Sequence, residues 1–142
     1  MATSGTTELK LFIRELGKMP PELRRELRPR LRKVGQAALA DVKARASWST
    51  RIPKATRLKV SLAKRDPGLS IEVNRHKAPH ARPYENQGKH GTFRHPLFGN
   101  RKRWVSQAAR PFLYPGARPH FEQVDRDIAA VVDEVARKAG FR

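Results

Sequence analysis

Leu23, Leu27, Leu31, Val34, Ala38 and Val42 recur at helical spacing through "PPELRRELRPRLRKVGQAALADVKARAS". They form one apolar stripe on a helix of about seven turns. A stripe that long has to be covered, so the rest of the chain must supply a sheet or a second helix to pack on it. Pro20 and Pro21 suit the first turn, where a missing N–H costs nothing. Pro29 falls inside the helix and removes one backbone hydrogen bond, which predicts a kink. Arg24, Arg25, Arg28, Arg32, Lys33 and Lys43 lie largely off the stripe.

Two further elements offer that cover. Phe121, Val124, Ile128, Val131 and Val135 step by three and four through Pro119–Lys138, and Arg137 and Lys138 complement the C-terminal end of the helix dipole. Leu58, Val60 and Leu62 alternate with polar residues, as do Leu69, Ile71 and Val73, and Asp66-Pro67-Gly68 supplies turn chemistry between them. This reads as a β-hairpin with one buried face. "TELKLFIREL" (Thr7–Leu16) fits a strand through Leu9, Leu11 and Ile13, and a helix through Leu9, Phe12, Ile13 and Leu16. The short helix is the expectation. Trp48–Thr56 reads as a connector, and a third extended segment is expected near Pro83–Gln87.

The expected fold class is α+β. A long kinked helix and a C-terminal helix pack on a small, mainly antiparallel sheet. Residues 1–142 form a single domain, with residues 75–116 an extended loop region projecting from it. That region contains five prolines and four of the five histidines, and lacks a steady apolar period. Part of it, Arg101–Ala109, could be a short helix. A span this long without regular structure is usually functional.

Charge narrows the partners. The formal net charge is +18, yet residues 119–142 hold five carboxylates against four bases, so the whole excess lies in the first 118 residues. Such a field attracts nucleic acid or an acidic protein surface. There is no cysteine, hence no disulfide and no Cys-based metal site. The longest strictly apolar run, Ile128–Val132, is far too short to span a bilayer, and no signal peptide precedes the first helix, so no membrane partner is expected.

Catalysis is not expected. His76 and His80 are separated by Pro79, which argues against a helix presenting both. His90, His95, Asn100 and His120 supply the letters of a His-Asn-His nuclease without its setting, and Glu85 is the single carboxylate between His76 and His120. No P-loop, dinucleotide fingerprint or nucleophile elbow occurs. The histidines read as hydrogen-bonding loop residues, and neither metal nor cofactor is expected. Trp104 beside Arg101, Lys102 and Arg103 is the pattern of a stacking-plus-phosphate site. No zinc finger, basic zipper or clear helix-turn-helix accompanies it.

The order of these pieces resembles the neck and tail-completion proteins of tailed bacteriophages, the head–tail connector family. The motifs that carry the resemblance are His95-Pro96-Leu97-Phe98-Gly99-Asn100, then Pro111-Phe112-Leu113-Tyr114-Pro115, then the terminal helix, with "ELGKMPPELRREL" as the opening. Many relatives carry a tighter "E-x-G-T" where this chain has Glu85-Asn86-Gln87-Gly88, with Gly91-Thr92 farther on. The resemblance implies a structural virion protein, made in the host cytoplasm and placed at the head–tail junction. It would form a homo-oligomeric, six-fold ring that joins neck to tail tube and lets DNA pass. Phe93, His95, Pro96, Leu97, Phe98, Asn100, Trp104, Phe112 and Tyr114 would then make subunit contacts. Arg24, Arg25, Arg28, Arg32, Arg101, Lys102 and Arg103 would face channel DNA or an acidic partner ring. The alternative from another class is a sequence-independent nucleic-acid-binding protein.

Overall fold

A computed structural model describes residues 7–63, 65–97, 100–138 and 140. In chain order the elements are β1 (Thr7–Phe12), α1 (Arg14–Lys18), α2 (Pro21–Arg45), α3 (Arg51–Ala55), β2 (Thr56–Ser61), β3 (Gly68–Val73), α4 (Ala81–Glu85) with a 3-10 turn at Asn86–Gly88, β4 (Thr92–Leu97), β5 (Asn100–Ala108) and α5 (Leu113–Lys138). The fold is α+β. β1, β3 and β2 form an antiparallel sheet in that order, and β4 and β5 form a separate antiparallel ribbon.

The stripe on α2 is the spine of the core. Leu23, Leu27, Leu31, Ala38 and Val42 are buried, and Val34 is half-buried. The helix runs without interruption from Pro21 to Arg45, with Pro29 on its exposed side. One flank of α2 packs on the sheet. There Gly35 leaves room for Leu58, whose Cδ1 would lie 2.6 Å from any Cβ added at that glycine. The other flank meets α5. A Cβ on Gly116 would fall 2.8 Å from the Cα of Val42, so this glycine lets the two helix backbones touch. Farther along the pair, Arg30 bonds both carboxylate oxygens of Glu134 at 3.1 and 2.9 Å. That pairing, with help from Lys138, pulls the Glu134 carboxyl down to about 2.

Four expectations change. Thr7–Leu16 is mainly a strand, followed by the single turn of α1. Pairing decides it: Leu9 lies opposite Ile71 and Leu11 opposite Leu69, so alternation brings both leucines onto the core face. Phe12, which a helix would have buried, is 52% exposed. Trp48–Thr56 contains the short helix α3, whose Ile52 and Ala55 are buried. Pro83–Gln87 is helical; Pro83 sits inside the first turn of α4, which tolerates it. Residues 75–116 are not an unstructured loop, because α4, the 3-10 turn and the β4–β5 ribbon all lie within them, and Arg101–Ala108 is strand instead of helix.

The terminal helix starts six residues before Pro119, and a buried carboxylate explains why it can. Glu85 is 2% exposed. Its Oε1 accepts the backbone N–H of Phe112 at 2.8 Å and of Leu113 at 2.7 Å, and its Oε2 accepts that of Tyr114 at 3.0 Å. The next residue, Pro115, has no N–H to satisfy. One distant side chain thus serves the orphan donors that every helix start leaves open.

Candidate functional site

The ribbon stands on an aromatic root. Tyr84 packs against Trp48 with ring centroids 4.8 Å apart, and against Phe93 of β4 edge-to-face at 5.0 Å. Arg110 lies over the Trp48 ring, its Cζ 5.0 Å from the centroid. Two backbone bonds close the base: Arg110 N–H donates to the Tyr84 carbonyl at 2.8 Å, and Ala109 N–H donates to the Gly91 carbonyl at 2.7 Å. Asn86 and Gln87 bend the chain through left-handed backbone, with φ of 51° and 55°. Gly88 then comes so close to Tyr114 that an added Cβ would sit 2.7 Å from the tyrosine's own. The root is therefore tied to the start of α5 through both Glu85 and Gly88.

Beyond the root the two strands separate their side chains by face. Register puts Phe93 opposite Gln107 and His95 opposite Val105, while Arg94 stands opposite Ser106 and Pro96 opposite Trp104. Alternation sends the first set to one face and the second to the other. The first face is half-buried at Phe93, His95 and Val105, and His95 Nε2 lies 2.7 Å from Gln107 Oε1. The second face is open. Trp104 is 47% exposed, one of two large hydrophobic residues so exposed among the described residues. Its ring is held in place all the same: Nε1 donates to the Arg101 carbonyl at 2.7 Å, and the Arg94 guanidinium carbon is 6.0 Å from its centroid. Asn100 Oδ1 accepts the Lys102 N–H at 3.0 Å and shapes the start of β5. Arg101, Lys102 and Arg103 are all exposed.

The residues expected to face other molecules thus divide. Phe112 is removed from the interface set, because it is fully buried in the chain's own core and has no surface to offer. Tyr114 is half-buried against Gly88 in the first turn of α5. Phe93 turns toward Tyr84 of its own chain. Phe98 lies outside the described residues, as does the side chain of Leu97. Among the basic residues, Arg25, Arg28 and Arg32 are exposed along one side of α2, whereas Arg24 is partly buried and donates to the Leu62 carbonyl at 2.8 Å. Arg24 therefore ties α2 to the end of β2 and is not part of that outward strip.

The histidines do not converge. His80 lies 3.3 Å from Ser49 Oγ, His120 lies 3.2 Å from Asp41, and His76 and His90 are exposed. Among the described residues no group of three or more His, Asp or Glu is placed to hold a metal ion, and no helix is long and apolar enough to cross a membrane.

A second uncovered feature is a groove of about 380 Å³ between α2 and α5, with Leu31, Val34, Val124, Ile128 and Val131 as its walls and Lys33 at its rim. Sequence reasoning missed both this groove and the ribbon. The first needs the crossing of two helices. The second had a local signal in the Gly99-Asn100 pair between two segments that can alternate. No family model, curated protein or solved structure matches the chain.

Proposed function

We propose that this chain is a structural component of a bacteriophage virion, not a catalyst, that forms a ring at the head–tail junction through which DNA passes. The observation that best supports the reading is the β4–β5 ribbon. It is fixed at its root by hydrogen bonds and aromatic contacts, yet its outer face exposes Trp104 among cations. Rigid placement of an uncovered aromatic and basic element suits contact with another molecule. The groove between α2 and α5 adds a second uncovered surface of different chemistry, and a closed ring built from heterologous contacts requires two unlike patches. The motif order from His95 to Pro115 points to the same family.

The test is assembly. The purified chain, alone and mixed with candidate neck and tail-tube proteins, is weighed by mass photometry and imaged by electron microscopy. Rings with a fixed subunit number support the reading. A chain that stays monomeric with every such partner refutes it. Sequence-independent nucleic-acid binding is the second reading, favoured by one observation: from Asn86 to Phe121 the chain has no carboxylate and seven Lys and Arg. Under it, tight duplex binding that weakens steeply with salt would occur without any ring.

A further inference from the structure

We infer that the open face of the β4–β5 ribbon, formed by Arg94, Pro96, Lys102 and Trp104, binds the sugar-phosphate backbone of duplex DNA without regard to sequence. The inference deepens the proposed function by naming which surface meets the DNA, and it rests on that reading for the setting only.

Charge selects the occupant. From Asn86 to Phe121 the chain holds no carboxylate, so no acidic side chain of the ribbon opposes an anion there. Shape agrees, because a two-stranded ribbon is one of the two elements that fit the major groove of B-form DNA. Trp104 and Arg94 form a ready-made unit. The indole is oriented by its bond to the Arg101 carbonyl, and the guanidinium sits beside the ring with its donors still facing solvent. Lys102, two residues before Trp104 in the irregular start of β5, is exposed and adds a second cation beside the indole. The cations neutralise phosphates, and the indole and the Pro96 ring pack against sugars. Both cations are spent on phosphates and the set has no amide side chain, so the contact carries no sequence information.

The probe is a fluorescent 30-base-pair duplex, titrated with the full chain at several salt concentrations and read by anisotropy. Arg94→Ala with Lys102→Ala should weaken binding by about tenfold and lower the salt slope by about two. Lys59→Ala with Arg65→Ala removes the same charge from β2 and the turn after it, outside the ribbon, and should change binding less than about threefold. A charge-preserving pair, Arg94→Lys with Lys102→Arg, should bind nearly as the parent does, which separates lost contacts from damaged folding. Trp104→Ala should weaken binding with the salt slope unchanged, because it removes no cation. Equal losses in the two alanine pairs would overturn the inference, since net charge alone would then explain binding. So would parental affinity in the ribbon pair, including the case where that pair instead loses capture of an acidic neck protein. Ring formation is weighed separately, so failure of the DNA contact and failure of the ring are distinct results.

Discussion

Phe112 and Trp104 are near neighbours in sequence, both aromatic and both within two residues of an arginine, and they have opposite fates. Phe112 is fully enclosed at the start of α5, while Trp104 is about half exposed on β5. Composition does not separate them. Phe112 is drawn in because the next backbone groups find their acceptor in buried Glu85, which fixes the helix start against the core. Trp104 stays out because its strand pairs with β4 alone and turns that face to solvent. The body of the protein is a closed packing problem already solved by α2, α5 and the three-stranded sheet. The ribbon is attached to that solution without being needed for it.

This contrast can be broken most forcefully at its buried end. Phe112→Ala should cost about 3–5 kcal/mol, measured by urea unfolding, because it empties a fully enclosed site. A loss under about 1 kcal/mol would mean that the core does not depend on this residue. Leu31→Ala tests the stripe on α2 in the same way, with an expected cost of about 2–5 kcal/mol. Glu85→Ala should destabilise by about 3 kcal/mol by stranding two buried N–H groups and one partly buried one, and Glu85→Gln by less, because an amide oxygen still accepts. An unaltered denaturation midpoint in Glu85→Ala would remove the carboxylate from its capping role.

Much of the body was legible in the sequence. The stripe from Leu23 to Val42, the alternation around Asp66-Pro67-Gly68 and the seam from Phe121 to Val131 each give a local period that packing then obeys. What failed to show locally is what depends on distant partners. β1 is a strand because β3 offers it an edge, and α5 begins at Leu113 because a side chain from α4 reaches its first turn. The outer face of the ribbon was legible in chemistry, through Trp104 among Arg101, Lys102 and Arg103, and hidden in geometry. Its pairing partner lies across Phe98 and Gly99, and neither strand has a buried face regular enough to declare itself.

Smaller effects sharpen the comparison. His80, at the edge of the aromatic root, has its pKa lowered from 6.5 by burial and then by the nearby charge of Arg51. The folded chain therefore holds this proton less tightly than the unfolded chain does. Stability should be full above pH 6.5 and should fall as pH drops below it, through the lowered folded value. Thermal scans at several pH values should show a shallow loss that His80→Asn reduces; an identical loss in the variant would assign it to other groups. At the exposed end, Trp104→Ala should change stability by no more than about 0.5 kcal/mol.

The most direct measurement removes the ribbon altogether. Residues 94–106 are replaced by an Asn-Gly turn, and thermal unfolding is compared with that of the full chain. The body should unfold cooperatively within a few degrees of its usual midpoint, while ring assembly and duplex binding are both lost. A shortened chain that no longer folds, or one that still assembles and binds DNA as before, would contradict the separation of a self-sufficient body from an outward-facing arm.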